Sequence, residues 1–220
     1  RILISVKEPS KSLGVSALPL KLDVRNEHDI QKVINETDKK FGRLDVLINN
    51  AGALFWKSVK DTESKNYDLI NQVNSRGTFL LSKFAIPLME RNGGGHIINQ
   101  SPPLLTGDEL KHTLKNKTAY MISKWGMTLG ALGISEEYKG KGISANTIWP
   151  MTPIESYALI NNNLGDRKSW RKPDIMVDCV LEILKEDPLT FTGNQLIDET
   201  YLRTKGVTDF TKYQCVEGSE

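Results

Sequence analysis

Apolar and polar positions along this chain switch between two periods, and each switch marks an element. Residues 2–6 are a short, mostly β-branched apolar run closed by a polar, proline-containing loop, and residues 17–22, leucine-rich, read as a second strand ending at Asp23. Both predict strands. Residues 27–41 carry Ile30, Val33, Ile34 and Phe41 at helical spacing, with Gly42 as a stop. Residues 44–48 are almost wholly apolar, the pattern of a strand buried on both faces, and the polar turn Asn49-Asn50-Ala51-Gly52 follows at once. Residues 63–91 predict a long helix or a helix pair, closed by Gly93, Gly94 and Gly95. Residues 96–100 predict another buried strand, broken by Ser101-Pro102-Pro103. Residues 104–117 read as polar and irregular. A helix is expected over 118–138, a strand over 143–148, a helix over 173–184 and a last strand over 195–198. The tail from Glu199 has weak periodicity and reads as a lid or linker. There is no internal repeat and no low-complexity tract.

Strands alternating with helices predict an α/β fold, a doubly wound and mostly parallel sheet. In such sheets ligands bind beyond the carboxyl ends of the strands. Asp23, the Asn49-to-Gly52 turn, Ser101 and the loop Trp149-Pro150-Met151-Thr152 all fall at such ends. So does the start of the helix bearing Tyr120. Tyr120 and Lys124 lie four apart and share one helix face. An ammonium beneath a phenol favours the phenolate, lowering a pKa that starts near ~10. That makes the tyrosine a usable proton donor or acceptor near neutral pH. By itself the pair is more often a surface Tyr and Lys on an amphipathic helix. Four loops converging on one sheet edge weigh the other way.

Composition narrows the classes. The 220 residues suffice for one domain with a substantial core. Net charge is +2, with acids and bases interspersed, so no nucleic-acid or membrane footprint appears. Cys179 and Cys215 give neither metal spacing nor a disulfide framework. His28, His96 and His112 are scattered, which argues against a metal site, and no G-x-S-x-G supports a hydrolase triad. No apolar run approaches the ~18 residues of a membrane span.

At this point the chain resembles the short-chain dehydrogenase/reductase family. The residues that carry the likeness are Asp23-Val24, Asn49-Asn50-Ala51-Gly52, Val73-Asn74 with Gly77-Thr78, Ser101, Tyr120 with Lys124, and Trp149-Pro150, in order over roughly residues 1–200. The stretches 99–103, 131–140 and 191–199 look more narrowly like a hydroxysteroid dehydrogenase-like branch linked to peroxisomal or mitochondrial lipid metabolism. The resemblance implies an NAD(P)-dependent oxidoreductase, NADP favoured and NAD possible. Its substrate would be a small apolar carbonyl or alcohol, steroid- or fatty-acyl-like. Tyr120 would be the general acid or base, and Lys124 would lower its pKa and bind the nicotinamide ribose. Asn74 would hold a relay water, and Ser101 would hydrogen-bond the substrate carbonyl. Asp23 would meet the adenine, Asn50, Ala51 and Gly52 would back the cofactor, and Thr152 would contact the carboxamide. Lys7 sits where a cation could pair with a ribose 2′-phosphate; a solvated loop lysine is the equal alternative. The likeness also implies a homo-oligomer and a peroxisomal location, with mitochondrion or cytoplasm as alternatives.

Three departures accompany the resemblance. The family's serine usually lies thirteen positions before the tyrosine, where Gly107 stands; Ser101 lies nineteen before Tyr120 and precedes two prolines. The usual Pro-Gly after the sixth strand is Pro150-Met151. No glycine-rich phosphate loop lies upstream of Asp23. The expectation is therefore a Rossmann-like domain over 1–200 lacking its first strand and glycine loop, followed by a tail over 201–220. It is either part of a longer protein or a damaged relative. The second function class is accordingly a non-catalytic remnant serving dimerisation or lipid binding.

Overall fold

A computed structural model describes residues 13–161 and 164–218. Four parallel strands organise them, β1 (Val46–Asn49), β2 (Gly95–Gln100), β3 (Ile143–Trp149) and β4 (Gln195–Ile197), in the spatial order β1-β2-β3-β4. Around them lie α1 (Glu27–Phe41), α2 (Ser64–Asn71), α3 (Gly77–Arg91), α4 (Gly107–Leu114), α5 (Thr118–Glu137), α6 (Tyr157–Asn161), α7 (Asp174–Ile183) and α8 (Asp198–Thr204). Alternate side chains of a strand leave opposite faces. Ile97, Ile143 and Ala145 therefore pack on Ile86 and Met89 of α3 and Ala131 of α5. Ile98 and Ile148 point the other way, onto Ile175, Cys179 and Ile183 of α7 and Tyr201 and Leu202 of α8. Helices cover both faces of a parallel sheet, the doubly wound arrangement the alternating pattern predicts.

Local signals set the element ends. The Asn26 side chain accepts hydrogen bonds from the His28 and Asp29 amides and starts α1, and Gly42, at φ 71°, closes it. The helical run expected over 63–91 is continuous but contains a π-helical segment, Gln72–Arg76, between α2 and α3. Such a bulge re-aims side chains relative to the α-helical turns on either side, and bulges of this kind are frequent at functional sites. Here it carries the buried Asn74.

Four expectations are corrected. Residues 17–22 run without strand pairing, because no described strand lies beside them to complete a ladder. β1 is not buried on both faces: Ile48, paired with Ile98, is 49% exposed. The apolar cluster of α7 and α8 engages Ile98 and Ile148 of β2 and β3 without including Ile48. Within 104–117, residues Gly107–Leu114 form α4, a surface helix with no buried residue. The tail from Glu199 is packed, with Tyr201, Leu202, Phe210, Tyr213 and Cys215 all buried. The Tyr213 hydroxyl donates to Asp178 of α7 at 2.7 Å, tying it to that layer. The strand expected over 2–6 lies outside the described residues. Among the described residues no helix is long and apolar enough to cross a membrane.

Candidate active site

Tyr120 and Lys124 occupy consecutive turns at the start of α5, and both are buried. Asn74 reaches them from the π-helical segment. Its amide nitrogen donates to the Ser123 hydroxyl at 2.8 Å and to the Ala53 carbonyl at 3.0 Å, and its oxygen accepts from the Ala53 amide at 2.8 Å. One side chain thereby joins α5, the π segment and the chain leaving the turn after β1. This approach depends on Gly126, where a Cβ would come within 2.6 Å of the Ser75 Cβ. The turn itself lies against the site. A Cβ at Gly52 would sit 3.5 Å from Asn74 Oδ1 and 3.6 Å from Lys124 Nζ.

The Lys124 ammonium donates to the Gln100 carbonyl, at the end of β2, at 2.8 Å. It also lies 3.7 Å from the Met127 sulfur and 5.6 Å from the Trp149 ring centroid. Burial lowers its pKa to about 8, since an ammonium loses more than an amine on leaving water. The Tyr120 phenol makes no hydrogen bond among the described residues. Its ring belongs to an apolar cluster with Ile70, Ala119 and Met121, flanked by Leu54, Phe55, Trp56 and Trp149. Burial raises the phenol's pKa. This corrects the expectation that Lys124 holds it down: in this state the phenol feels desolvation, and the ammonium is bonded to Gln100.

Ser101 is not brought to the phenol. It is fully buried, and its hydroxyl is hydrogen-bonded to that of Thr128 at 2.9 Å. Thr128 lies two helical turns beyond Tyr120, roughly 12 Å along the axis. The Ser-Pro-Pro segment is stitched down by three further bonds. Pro102 O accepts from Thr128, Pro103 O accepts from Trp125 Nε1, and Leu104 N donates to Gln195. Asp23 is likewise engaged, its carboxylate held by the Arg25 guanidinium at 2.6 to 3.1 Å, which lowers its pKa to about 2. A crevice too tight to admit a water molecule, lined by Val24, Asn49, Ala51, Val73 and Gly77, lies between Val24 and the turn after β1. Asn50, Ala51 and Gly52 are exposed at the rim. Thr152 lies in a loop fixed on both sides. Met151 N donates to the buried Asp198 at 2.8 Å, and Pro153 O accepts from Arg171 N at 2.9 Å. Lys7 lies outside the described residues.

Sequence reasoning missed Ser123, which orients Asn74, and Asp198, which holds the loop after β3. It left Trp56 as an unassigned core or pocket wall. No spacing rule marks these residues, because each acts through a partner distant in the chain.

A parallel doubly wound sheet with a buried Tyr-Lys pair and an asparagine converging beyond its carboxyl edge defines an oxidoreductase class of dinucleotide-binding folds. The sequence model of the family described as Enoyl-(Acyl carrier protein) reductase matches residues 4–174. The chain belongs to the short-chain dehydrogenase/reductase family. It is 38% identical over 217 residues to hydroxysteroid dehydrogenase-like protein 2 of Mus musculus, covering 98% of this chain and 43% of that protein. The chain thus spans about half the length, or less, of the curated relatives it matches. A crystal structure from Xanthomonas campestris, described as a dehydrogenase, superposes with TM-score 0.90 at 31% identity, over 98% of this chain and 78% of that one. A short chain dehydrogenase from Mycobacterium thermoresistibile gives 0.85 at 38% identity, over 96% and 74%.

Proposed function

We propose that this domain is an NADP-dependent oxidoreductase that reduces a carbonyl, or oxidises an alcohol, on a small apolar substrate of the steroid or fatty-acyl kind. The observation that carries the reading is Tyr120: a phenol with no hydrogen-bond partner among the described residues, in an apolar aromatic cluster, with Lys124 and Asn74 converging on Gly52. The residues present suit the nicotinamide end of a cofactor. Lys124 has three donors; Gln100 takes one and the Met127 sulfur faces another weakly, leaving a proton for a ribose hydroxyl on the Gly52 side. Asn50 and Ala51 are exposed beside the site, and Ala51 borders the tight crevice next to Val24. The described residues supply no glycine-rich phosphate cradle.

A nicotinamide cofactor held there would supply the hydride for the carbonyl carbon. Tyr120 donates its phenolic proton to the carbonyl oxygen as negative charge develops there. Its raised pKa keeps it protonated at neutral pH, the form a general acid needs. Lys124, charged below about pH 8, stabilises the phenolate left behind. Asn74, fixed by Ala53 and Ser123, stands beside Lys124 where a relay water could return the proton.

Outward-facing Phe79 on α3 and Ile122 and Leu129 on α5 support assembly into a homo-oligomer through those helices. A peroxisomal location is part of the same proposal and rests on resemblance alone. One observation favours a second reading, a non-catalytic scaffold: Ser101 and Asp23 are both committed to internal partners. Tyr120→Phe decides between them. With NADPH and the apolar ketone trans-1-decalone, the wild-type chain should turn over and the variant should lose at least ~100-fold in kcat. Turnover unaffected by the change would remove Tyr120 from the chemistry. Absence of turnover and of NADPH binding in the wild type would favour the scaffold.

A further inference from the structure

The loop leaving β3 is held by polar ties rather than by packing. No described residue over 149–169 is buried. Trp149, at its start, packs in the cluster of Tyr120, with its ring centroid 5.6 Å from the Lys124 ammonium. Two positions on, the Met151 amide donates to the Asp198 carboxylate at 2.8 Å, and Pro153 O then accepts from Arg171 N at 2.9 Å. Of these two ties, the first alone is made by a side chain. Asp198 is 1% exposed. The oxygen that binds Met151 also accepts from the Glu199 amide at 2.7 Å, and the other oxygen, shut off from solvent, has no partner among the described residues. Burial raises the carboxyl's pKa. A small neutral residue at the start of α8 would avoid that desolvation. What the carboxyl contributes is read from its register.

β3 and β4 pair in parallel, and Thr147 N donates to Asn194 O at 2.9 Å. Along a parallel ladder such bonds recur at alternate residues. The same step carried on from 147 to 151 leads from 194 to 198. There the chain has turned into α8, and the Asp198 side chain supplies the oxygen that a continuing strand would have supplied from its main chain. We propose that Asp198 is a positioning residue for the reaction: by extending the β3–β4 ladder one step past the sheet edge, it fixes the chain leaving Trp149 and so holds that indole beside Tyr120 and Lys124. It acts through Met151 and Trp149, not on the reacting atoms. This inference rests on the oxidoreductase reading of the site.

Asp198→Asn keeps an oxygen for the two amides and removes the charge, whereas Asp198→Ala removes the oxygen. With NADPH and trans-1-decalone, at a temperature where every variant is folded, Asp198→Ala should lose ~10-fold or more in kcat/KM and Asp198→Asn less than ~3-fold. Ile183→Val loosens the same helical layer without touching the loop and should keep the wild-type kcat/KM. An alanine variant as active as the wild type would overturn the proposal. So would an asparagine or Ile183→Val variant as damaged as the alanine one. A second arm needs no turnover: the Met151 amide should exchange with solvent ~100-fold or more faster in Asp198→Ala than in the wild type. An unchanged exchange rate would equally overturn the assignment. Failure of the oxidoreductase reading looks different: the wild type itself gives no turnover, while exchange at Met151 still decides whether Asp198 holds the loop.

Discussion

Asn74 and Ser123 are joined side chain to side chain at 2.8 Å, across the seam between the π-helical segment and α5. Ser123 in turn donates to the Tyr120 carbonyl at 2.7 Å, so the chain of bonds runs from the turn after β1 into the helix bearing the site. Asn74→Ala would strand both Ala53 backbone groups and free Ser123. The expected cost is ~2–4 kcal/mol of stability, with a kcat loss larger than the stability loss alone explains. Urea denaturation beside kinetics separates the two. Unchanged stability would mean that the amide is not bonded in solution as it is here.

Gly126 sets how closely α5 approaches the π segment. Gly126→Ala places a methyl 2.6 Å from the Ser75 Cβ, a distance that real side chains do not tolerate. The helices must separate, moving Lys124 and Ser123 away from Asn74. We expect destabilisation of ~1–3 kcal/mol and a marked loss of activity. The double variant with Ser75→Gly should regain most of both, and a thermodynamic cycle on the four proteins would reveal the coupling. Additive losses would show that the contact does not limit the packing.

Lys124 is buried at a cost. Its folded pKa of about 8 lies below the 10.5 of an ordinary lysine, so between these values the unfolded chain binds more protons than the folded one. Stability should therefore rise with pH across that window, and the penalty is fully present below about pH 8. Lys124→Met should raise stability at pH 7 by ~2 kcal/mol after allowing for the lost bond to Gln100, while abolishing turnover. The difference should shrink toward pH 10. Thermal melts at pH 7 and pH 10 measure it, and a variant less stable at pH 7 would show that the ammonium is a net stabiliser.

Much of the scaffold is legible in the chain because its signals are local. Gly42 closes α1 where the helical spacing predicts a stop, and the apolar runs 96–100 and 143–148 find β2 and β3 within one residue. Tyr120, Lys124 and Asn74 are legible as a set, and the fold brings them together. What is not legible depends on tertiary partners. Residues 17–22 read as a strand, yet a ladder needs a neighbour that the run itself does not name. α4 hides because its apolar residues are few and none is buried. The weakly periodic tail packs through Tyr201, Phe210 and Tyr213, whose spacing follows no single helix or strand. Ser101 has the right residue type at the right strand end, but Thr128, which captures it, lies 27 residues away.

Ser101 yields the sharpest test of that capture. Were it the partner of Tyr120 in the reaction, Ser101→Ala would cost two or more orders of magnitude in kcat, as loss of a donor to a developing oxyanion does. In this structure its hydroxyl is fully buried against Thr128, and Thr128 keeps a second acceptor in Pro102 O at 2.7 Å when the serine is gone. The alanine variant should therefore lose about 1 kcal/mol of stability and less than ~3-fold in kcat. Thr128→Val, which removes the anchor while preserving shape, should perturb the loop more, since it frees both Ser101 and the Pro102 carbonyl. Steady-state kinetics of the two variants beside Tyr120→Phe distinguishes the cases. A hundredfold loss in Ser101→Ala would show that ligand binding pulls the serine off Thr128 and into the site.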